Sequence, residues 1–288
     1  MSDKDLLNNI KKLRELTGVG FKDCKIALDD SNGNIEKSIE FLRKKGIAKA
    51  SKKMSRTASD GLVLVTEKEN KVSIVEINSE TDFVAKNKEF INFCKELSEI
   101  NFSTFGNLNK LNDVKMSNGT SVKDNLVALI AKIGEKITIR RVDFFDNNKG
   151  SNFFYVHSAI EKNIGKIISV VKLDGIVKGK NDDIGNKIAM HITASNPLAI
   201  DKTDIKKEII EKELEIIKAE ISNSDKPSEM VDKISKGKIA KFINDNTLLN
   251  QIWIMDPKKK VSDILKENKI ENEIKILNFV RYKVGEGI

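Results

Sequence analysis

The sequence predicts an α+β protein, and three observations carry this prediction. Apolar residues recur at helical spacing over residues 1–45, strands followed by an amphipathic helix occur twice, over 62–97 and 153–195, and a second long helical stretch covers about 203–244. A chain of 288 residues with 39% hydrophobic residues is long enough for two or three modules with real cores.

The first module, residues 1–45, is predicted to contain three short helices. Glycines within residues 17–20 and the turn at residues 32–34 separate the three apolar stripes, because glycine permits the backbone angles that end a helix. Such a small bundle buries little surface and is marginal by itself. The apolar positions are Leu6, Ile10, Leu13, Leu16, Cys24, Ala27, Leu28, Ile35, Ile39 and Leu42.

Residues 46–60 follow as a predicted basic linker. Lysines and an arginine stand among small residues with few apolar anchors, which is typical of a linker. A nucleic-acid-binding arm is the alternative, although the aromatic residues expected in such an arm are missing. The cations are Lys49, Lys52, Lys53 and Arg56.

Core subdomain N, residues 61–145, begins where the period of the apolar pattern changes from helix to strand. Residues 62–65 and 72–77 form two predicted strands joined by a turn at Glu69 and Asn70. A helix bearing Phe90 and Leu97 follows, then a loop-rich stretch, a helix over 122–133 and a strand over 136–145.

Core subdomain C, residues 146–288, repeats the order of strands and then an amphipathic helix, which suggests a structural duplication. The predicted strands cover 153–157 and 166–173, and the helix covers 183–195. An antiparallel helical hairpin over about 203–244 turns at residues 223–227, because Pro227 is tolerated only at the start of a helix. A helix over 261–267 and a strand over 276–284 close the subdomain.

The net charge of +8 is weak evidence for RNA binding. The 51 Lys and Arg residues are interleaved with 43 Asp and Glu residues instead of forming one stripe. An RNA-binding or ribosome-associated protein is one rival class, and it predicts binding that falls steeply with salt. A scaffold built on the N-terminal module is another, and it predicts that residues 1–50 bind a partner alone.

The remaining composition predicts a cytoplasmic protein without cofactors. Cys24 and Cys94 are far apart and are expected to be reduced core thiols. With only His157 and His191 as further soft ligands, no zinc spacing arises. Neither a secretory signal nor an apolar run of membrane-spanning length is present.

No catalytic motif is present, so a binding protein is favoured over an enzyme. Residues 175–181 (GIVKGKN) approach a phosphate-binding loop but have one residue too few between the glycines and an Asn at the magnesium position. The esterase elbow and the zinc-protease helix motif are absent too.

Six ordered segments identify the chain as resembling the bacterial elongation factor Ts family. Each segment alone is a weak signal, whereas the ordered set, which extends over essentially the whole chain, is specific. The segments are residues 13–20 (LRELTGVG), 76–87 (EINSETDFVAKN), 132–135 (KIGE), 190–197 (MHITASNP), 255–257 (MDP) and 281–287 (RYKVGEG).

The resemblance implies a non-enzymatic nucleotide exchange factor whose partner is the GTPase elongation factor Tu. It also implies a ubiquitin-associated-like N-terminal bundle, two core subdomains, and a hairpin through which a homodimer or a 2:2 complex can form. In the family, the Asp-Phe pair enters the partner's nucleotide-binding domain and disturbs the magnesium and phosphate environment of GDP. Carried over, the site residues are Thr81, Asp82, Phe83 and Val84.

The residues themselves leave an alternative open for this pair. The pair lies where a strand ends and a helix begins, so that its side chains can project towards a partner. Asp82 could instead cap the helix, which is worth about 1 kcal/mol, and Phe83 could be a core residue.

Further partner contacts are carried over from the family to Leu13, Arg14, Val19, Gly20 and His157. For His157, a simple surface histidine is the alternative, because residues 158–163 replace the glycine-rich turn usual in the family. Family members also commonly continue into another C-terminal helix, so ending at Ile288 is expected to weaken binding.

Overall fold

The computed structural model describes residues 3–17, 19–176, 179, 182–222, 228–269 and 272–288. Its first unit consists of three helices, α1 (Asp3–Thr17), α2 (Phe21–Asp30) and α3 (Ile35–Ser51). Asn34 caps α3 by accepting a hydrogen bond from the amide of Lys37 at 2.9 Å. The predicted first break includes Gly18, which lies outside the described residues. The buried residues of this small core are Ile10, Leu13, Cys24, Ala27, Leu28 and Leu42.

Helix α3 is longer than predicted and takes up part of the expected 46–60 linker. It continues through Ser51, and its last turns pack against helix α7 (Val122–Ile133). Gly46 faces Ala131 of α7 at this contact, and Ala50 belongs to the core of the first sheet. The linker prediction was therefore wrong at its beginning, because a neighbouring helix covers residues that have few apolar anchors of their own.

The first sheet has four strands in the order β3-β2-β1-β5. Its members are β1 (Asp60–Lys68), β2 (Lys71–Ser79), β3 (Ile137–Phe145) and β5 (Ile164–Gly165). The pairs β1·β2, β2·β3 and β1·β5 are antiparallel. Glu69 and Asn70 form the predicted tight turn and have positive φ values of 51° and 62°, which suits a two-residue hairpin. The helices between β2 and β3 are α4 (Asp82–Ala85), α5 (Lys88–Ser103), α6 (Leu108–Asp113) and α7.

The second sheet has three antiparallel strands in the order β4-β6-β7. They are β4 (Ser151–His157), β6 (Ile167–Asp174) and β7 (Lys275–Lys283), and helices α8 (Asp182–Ser195) and α11 (Val261–Glu267) accompany them. Of the glycine-rich segment 175–181, residues 177, 178, 180 and 181 lie outside the described residues.

Strand alternation arranges the two sheets and their helices into four layers. In β1, Leu62 and Leu64 belong to the core shared with α5 and α7, whereas Val63 and Val65 belong to the core between the sheets. The outer face of the second sheet packs on α8 and α11 through a third core, which contains Trp253. The layers are therefore helix, sheet, sheet, helix, as expected when both faces of each sheet are apolar.

A buried carboxylate lies between the sheets. Glu76 of β2 has no exposed surface and accepts hydrogen bonds from Arg140 at 3.0 Å and Arg141 at 2.5 Å. The amide of Gly285, just after β7, donates to the same carboxylate at 3.0 Å. Burial raises the pKa of Glu76, but the hydrogen bonds from Gly285 and Asn78 and the pairing with Arg141 outweigh it and hold that pKa below its usual range.

Helices α9 (Lys207–Ser222) and α10 (Ser228–Asn246) occupy the predicted hairpin stretch and contact each other. Lys238 of α10 pairs with Glu220 of α9 at 2.7 Å. The predicted turn at residues 223–227 lies outside the described residues.

Candidate partner-binding site

The short helix α4 carries the most exposed large apolar side chain in the part of the chain that the structure describes. Phe83 is 79% exposed, while the next two residues, Val84 and Ala85, are buried in the core under the first sheet. The alternative that Phe83 is a core residue is therefore wrong. An aromatic ring presented to solvent beside two anchored residues is typical of an interaction site.

Thr81 holds the start of α4 in place. Its amide and its hydroxyl both donate to the carboxylate of Glu135, at 3.0 and 2.8 Å, and Ser79 donates its hydroxyl to the Thr81 carbonyl at 3.0 Å. Thr81 occupies the N-cap position but makes no side-chain hydrogen bond to the helix. The Thr81 hydroxyl, which at this position could cap α4, thus binds the carboxylate of Glu135, a residue distant in sequence.

Asp82 is the first residue of α4 and pairs with Lys86 at 2.7 Å. This hydrogen bond lowers the pKa of Asp82 and raises the pKa of Lys86, so both groups are charged at neutral pH. The alternative role of Asp82 as the helix cap is wrong in this structure, since Thr81 has that position. Phe83 therefore projects next to an ionised carboxylate that is paired with Lys86.

The N-terminal residues carried over from the family divide between core and surface. Leu13 has no exposed surface and lies in the core of the helix bundle, so we correct its assignment: its side chain packs the bundle and offers no contact surface. Arg14 and Gly20 are exposed, and Val19 is half-buried against the bundle core.

Two exposed apolar residues near these positions escaped the sequence reasoning. Leu16 and Phe21, which flank the break between α1 and α2, are exposed. Helical spacing placed Leu16 in the apolar stripe of the first helix. Nothing in that pattern showed that the bundle is too small to cover the Leu16 side chain.

The two histidines lie in contrasting environments. His157 ends β4 with an exposed side chain, while His191 of α8 is completely buried. His191 stacks on Trp253 with ring centroids 5.1 Å apart and hydrogen-bonds Gln251 through Nε2 at 3.0 Å. Burial lowers the pKa of His191 and keeps the ring neutral.

A loop packed on His191 presents a further apolar surface. Ile252, Ile254 and Met255 are exposed, and the amide of Ile254 donates to His191 Nδ1 at 3.4 Å. We call these three residues the apolar loop. A single signal could have found it, namely the unusual run of large apolar residues at 252–255 outside any periodic element.

Neither a metal-ligand cluster nor a membrane-spanning helix is found among the described residues. Among them, no group of His, Cys, Asp and Glu has the arrangement needed to hold a metal ion. Nor does any described helix combine the length and apolar character that crossing a membrane requires.

Comparison with known proteins gives one consistent family. The family model described as Elongation factor TS matches residues 80–286. Elongation factor Ts of Rickettsia prowazekii (strain Madrid E) is 39% identical over 284 residues, covering 97% of this chain and 91% of its own.

Two further relatives give the same result. Elongation factor Ts of Methylobacterium nodulans is 42% identical over 284 residues, covering 97% of this chain and 92% of its own. That of Rickettsia akari (strain Hartford) is 38% identical over 283 residues, covering 97% and 91%. With the projecting Asp82 and Phe83 in a matched segment, the chain belongs to the elongation factor Ts family of translation factors.

Proposed function

We propose that this protein is a guanine nucleotide exchange factor that binds elongation factor Tu–GDP and promotes release of GDP. The observation that carries the proposal is the 79% exposure of Phe83 beside the charged Asp82, on a turn whose flanking residues are fixed. Burial of such a ring in a partner's pocket contributes about 1.5–3 kcal/mol. Asp82, brought near the partner's magnesium ion, changes the charge balance around the nucleotide.

The proposed action requires no chemical catalysis by this chain. An exchange factor binds the nucleotide-free partner more tightly than the GDP-bound partner, and by linkage GDP weakens its binding by the same factor. Each tenfold of this coupling requires about 1.4 kcal/mol of differential contact.

Several surfaces can contribute to this differential binding free energy. Arg14, Val19 and Gly20 on the N-terminal bundle and His157 at the end of β4 are the further proposed contacts. The apolar loop adds a third surface, because it exposes three apolar side chains and its backbone is hydrogen-bonded to the buried His191 through the amide of Ile254. For α9 and α10, the proposal is an antiparallel hairpin through which two copies associate.

The test is stopped-flow release of a fluorescent GDP from elongation factor Tu. We expect this protein to accelerate release, and Phe83→Ala to reduce the acceleration about 10- to 100-fold, as loss of a buried aromatic contact predicts. Phe105→Ala is the matched control, because Phe105 is another exposed phenylalanine, on the loop after α5.

Three other outcomes are informative. Equal losses in both variants would indicate a general effect of removing exposed rings and would reject the site. Full activity of Phe83→Ala would leave exchange standing but place the site elsewhere. No acceleration by the natural protein would reject the function, and steep salt dependence of RNA binding would then support the rival class.

A further inference from the structure

We propose that Glu135 is a positioning residue that holds Asp82 and Phe83 in their projecting geometry through Thr81. This inference rests on the proposed exchange function and assigns a role to a residue outside the set of proposed partner contacts. It follows from a hydrogen-bonded connection between two chain segments that are far apart in sequence.

The connection begins with the position of Glu135. Helix α7 ends at Ile133 and is capped by Gly134, which has a left-handed φ of 84°, and the chain then turns into β3. Glu135 lies in this turn, and its two carboxylate oxygens accept separate hydrogen bonds from Thr81, Oε2 from the amide at 3.0 Å and Oε1 from the hydroxyl at 2.8 Å. Both oxygens of the carboxylate are therefore used on one residue.

A second carboxylate makes the reverse connection. Glu80 accepts a hydrogen bond from the amide of Lys136 at 2.6 Å and pairs with Arg56 at 3.1 Å. Burial raises the pKa of Glu80, but these contacts outweigh it and keep that pKa below its usual range. Residues 80 and 81 thus contribute one carboxylate and one amide to residues 135 and 136, and residues 135 and 136 contribute one carboxylate and one amide in return.

This reciprocal connection matters because α4 cannot hold its own geometry. A helix of four residues is far below the length at which a helix is stable alone. The ring of Phe83 has little packing of its own, so its direction follows from the backbone on both sides. Val84 and Ala85 fix the following side in the core, and Glu135 fixes the preceding side through Thr81.

Fixing the turn before binding improves exchange by lowering the ordering cost. A mobile projecting segment loses conformational freedom when it enters a partner, and this loss is subtracted from the binding free energy. When the rate of a process depends on a positioned group, misplacing that group by about 1 Å already lowers the rate substantially. Glu135 therefore acts on exchange through the projecting pair, and most of its effect is expected to be lost when Phe83 is absent.

The experiment uses this dependence as a double-mutant cycle in the stopped-flow GDP release measurement. With Phe83 present, we expect Glu135→Ala to reduce the acceleration about tenfold and Glu135→Gln less, because the amide retains one acceptor oxygen for Thr81. In the Phe83→Ala background, we expect Glu135→Ala to cause less than about a twofold change. Glu89→Gln is the control, since it removes the exposed ion pair between Glu89 of α5 and Lys132 of α7, the helix that precedes Glu135.

Amide hydrogen exchange of the free protein gives a readout independent of activity. We expect the amide of Thr81, which donates to Glu135 in the natural protein, to exchange at least about tenfold faster in Glu135→Ala, while the amides of β1 and β2 keep their protection. A Thr81→Ser variant, which retains the hydroxyl, should keep the natural protection, whereas Thr81→Val, which removes one of the two hydrogen bonds to Glu135, should not.

The outcomes separate this inference from the proposed function. If the natural protein accelerates release and Glu135→Ala causes equal losses with and without Phe83, the residue is merely structural and the inference is overturned. Unchanged protection at Thr81 overturns it as well. If the natural protein does not accelerate release, the exchange function fails, and faster amide exchange in Glu135→Ala would then show positioning of a turn that serves another partner.

Discussion

Phe83 and Phe105 show how two exposed rings of similar type differ in what surrounds them. Phe105 is 68% exposed but packs edge-on against Phe144 with ring centroids 5.2 Å apart. Phe83 takes part in no aromatic pair among the described residues and lies between the charged Asp82 and a buried anchor. An unsupported ring next to a fixed charge is suited to a specific partner pocket, whereas a ring supported by a second ring covers the protein's own surface.

His191 permits a prediction about pH at the scale of one side chain. Burial lowers its pKa in the folded protein below 6.5, the ordinary value that applies when the chain is unfolded. Between the lowered folded pKa and 6.5, the unfolded chain binds more protons than the folded chain, so the free energy of unfolding falls as the pH is lowered through this window. Urea denaturation from pH 7.5 to 5 measures the slope.

The matched variants are His191→Asn and His157→Asn. Removing His191 is expected to flatten the slope, and His157→Asn, which replaces the exposed histidine at the end of β4, is the control for replacing a histidine as such. A slope that is unchanged in His191→Asn would assign the pH dependence to other groups.

Sequence reasoning located the projecting residues but not what holds them. The resemblance to the family pointed to residues 81–84, and their place between a strand and a helix agreed with it, because such a boundary lets side chains leave the core. The partnership of Thr81 with Glu135 joins positions 54 apart in the chain, and no local pattern encodes such a contact. The apolar pattern placed Leu13 on the inward stripe, where the structure has it, whereas the carry-over from the family assigned it to the contact surface, because a shared motif does not state which side of a helix faces inward.

At the scale of elements, two helix glycines are expected to respond to alanine with opposite signs. A Cβ at Gly46 of α3 would lie 3.7 Å from Ala131 of α7, which is ordinary contact. Since alanine is the better helix former, Gly46→Ala should stabilise the protein by about 0.5–1 kcal/mol.

Gly185 of α8 is the opposite case. A Cβ there would lie 2.3 Å from the ring of Phe153 in β4, so Gly185→Ala must push α8 off the second sheet and should destabilise by about 1–3 kcal/mol. Urea denaturation of both variants checks the pair, and stabilisation by Gly185→Ala would contradict the packing of α8 on β4.

Element boundaries followed the sequence where local signals were strong. Helices α7 and α11 occupy their predicted ranges. For α7 the signals are a cap by Ser121 at its start and the left-handed Gly134 after its end. Helix α3 ran beyond its prediction because tertiary contact with α7 overrides a basic sequence of weak apolar pattern.

At the scale of the whole molecule, the buried Glu76 joins the two sheets and is predicted to be a major contributor to stability. Glu76→Gln keeps the size of the side chain but leaves Arg140 and Arg141 without their carboxylate. Because both arginines are partly solvated, we expect a loss of about 2–4 kcal/mol in the free energy of unfolding at pH 7. The control Glu99→Gln, in an exposed pair with Lys68, should cost less than about 1 kcal/mol.

Protonation of the same carboxylate is expected to lower the free energy of unfolding at acid pH. The pKa of Glu76 is lowered in the folded protein, so its contribution is fully present above the ordinary value of 4.5 and is lost as the pH falls through the lowered folded pKa. Glu76→Gln should therefore lose less stability than the natural protein over this acidic range. An equal loss in both proteins would show that other carboxylates cause the loss of stability at acid pH.

The position of Glu76 between the sheets also has a consequence for synthesis on the ribosome. Strands β1 to β3 leave the ribosome well before β6 and β7, so the inner face of the first sheet, with Val63 and Ile74, emerges before anything in the chain covers it. During that interval Glu76 lacks the amide of Gly285. A nascent chain with an uncovered apolar sheet and an incompletely bonded carboxylate is a natural client for a chaperone, and its folding is completed only when β7 arrives.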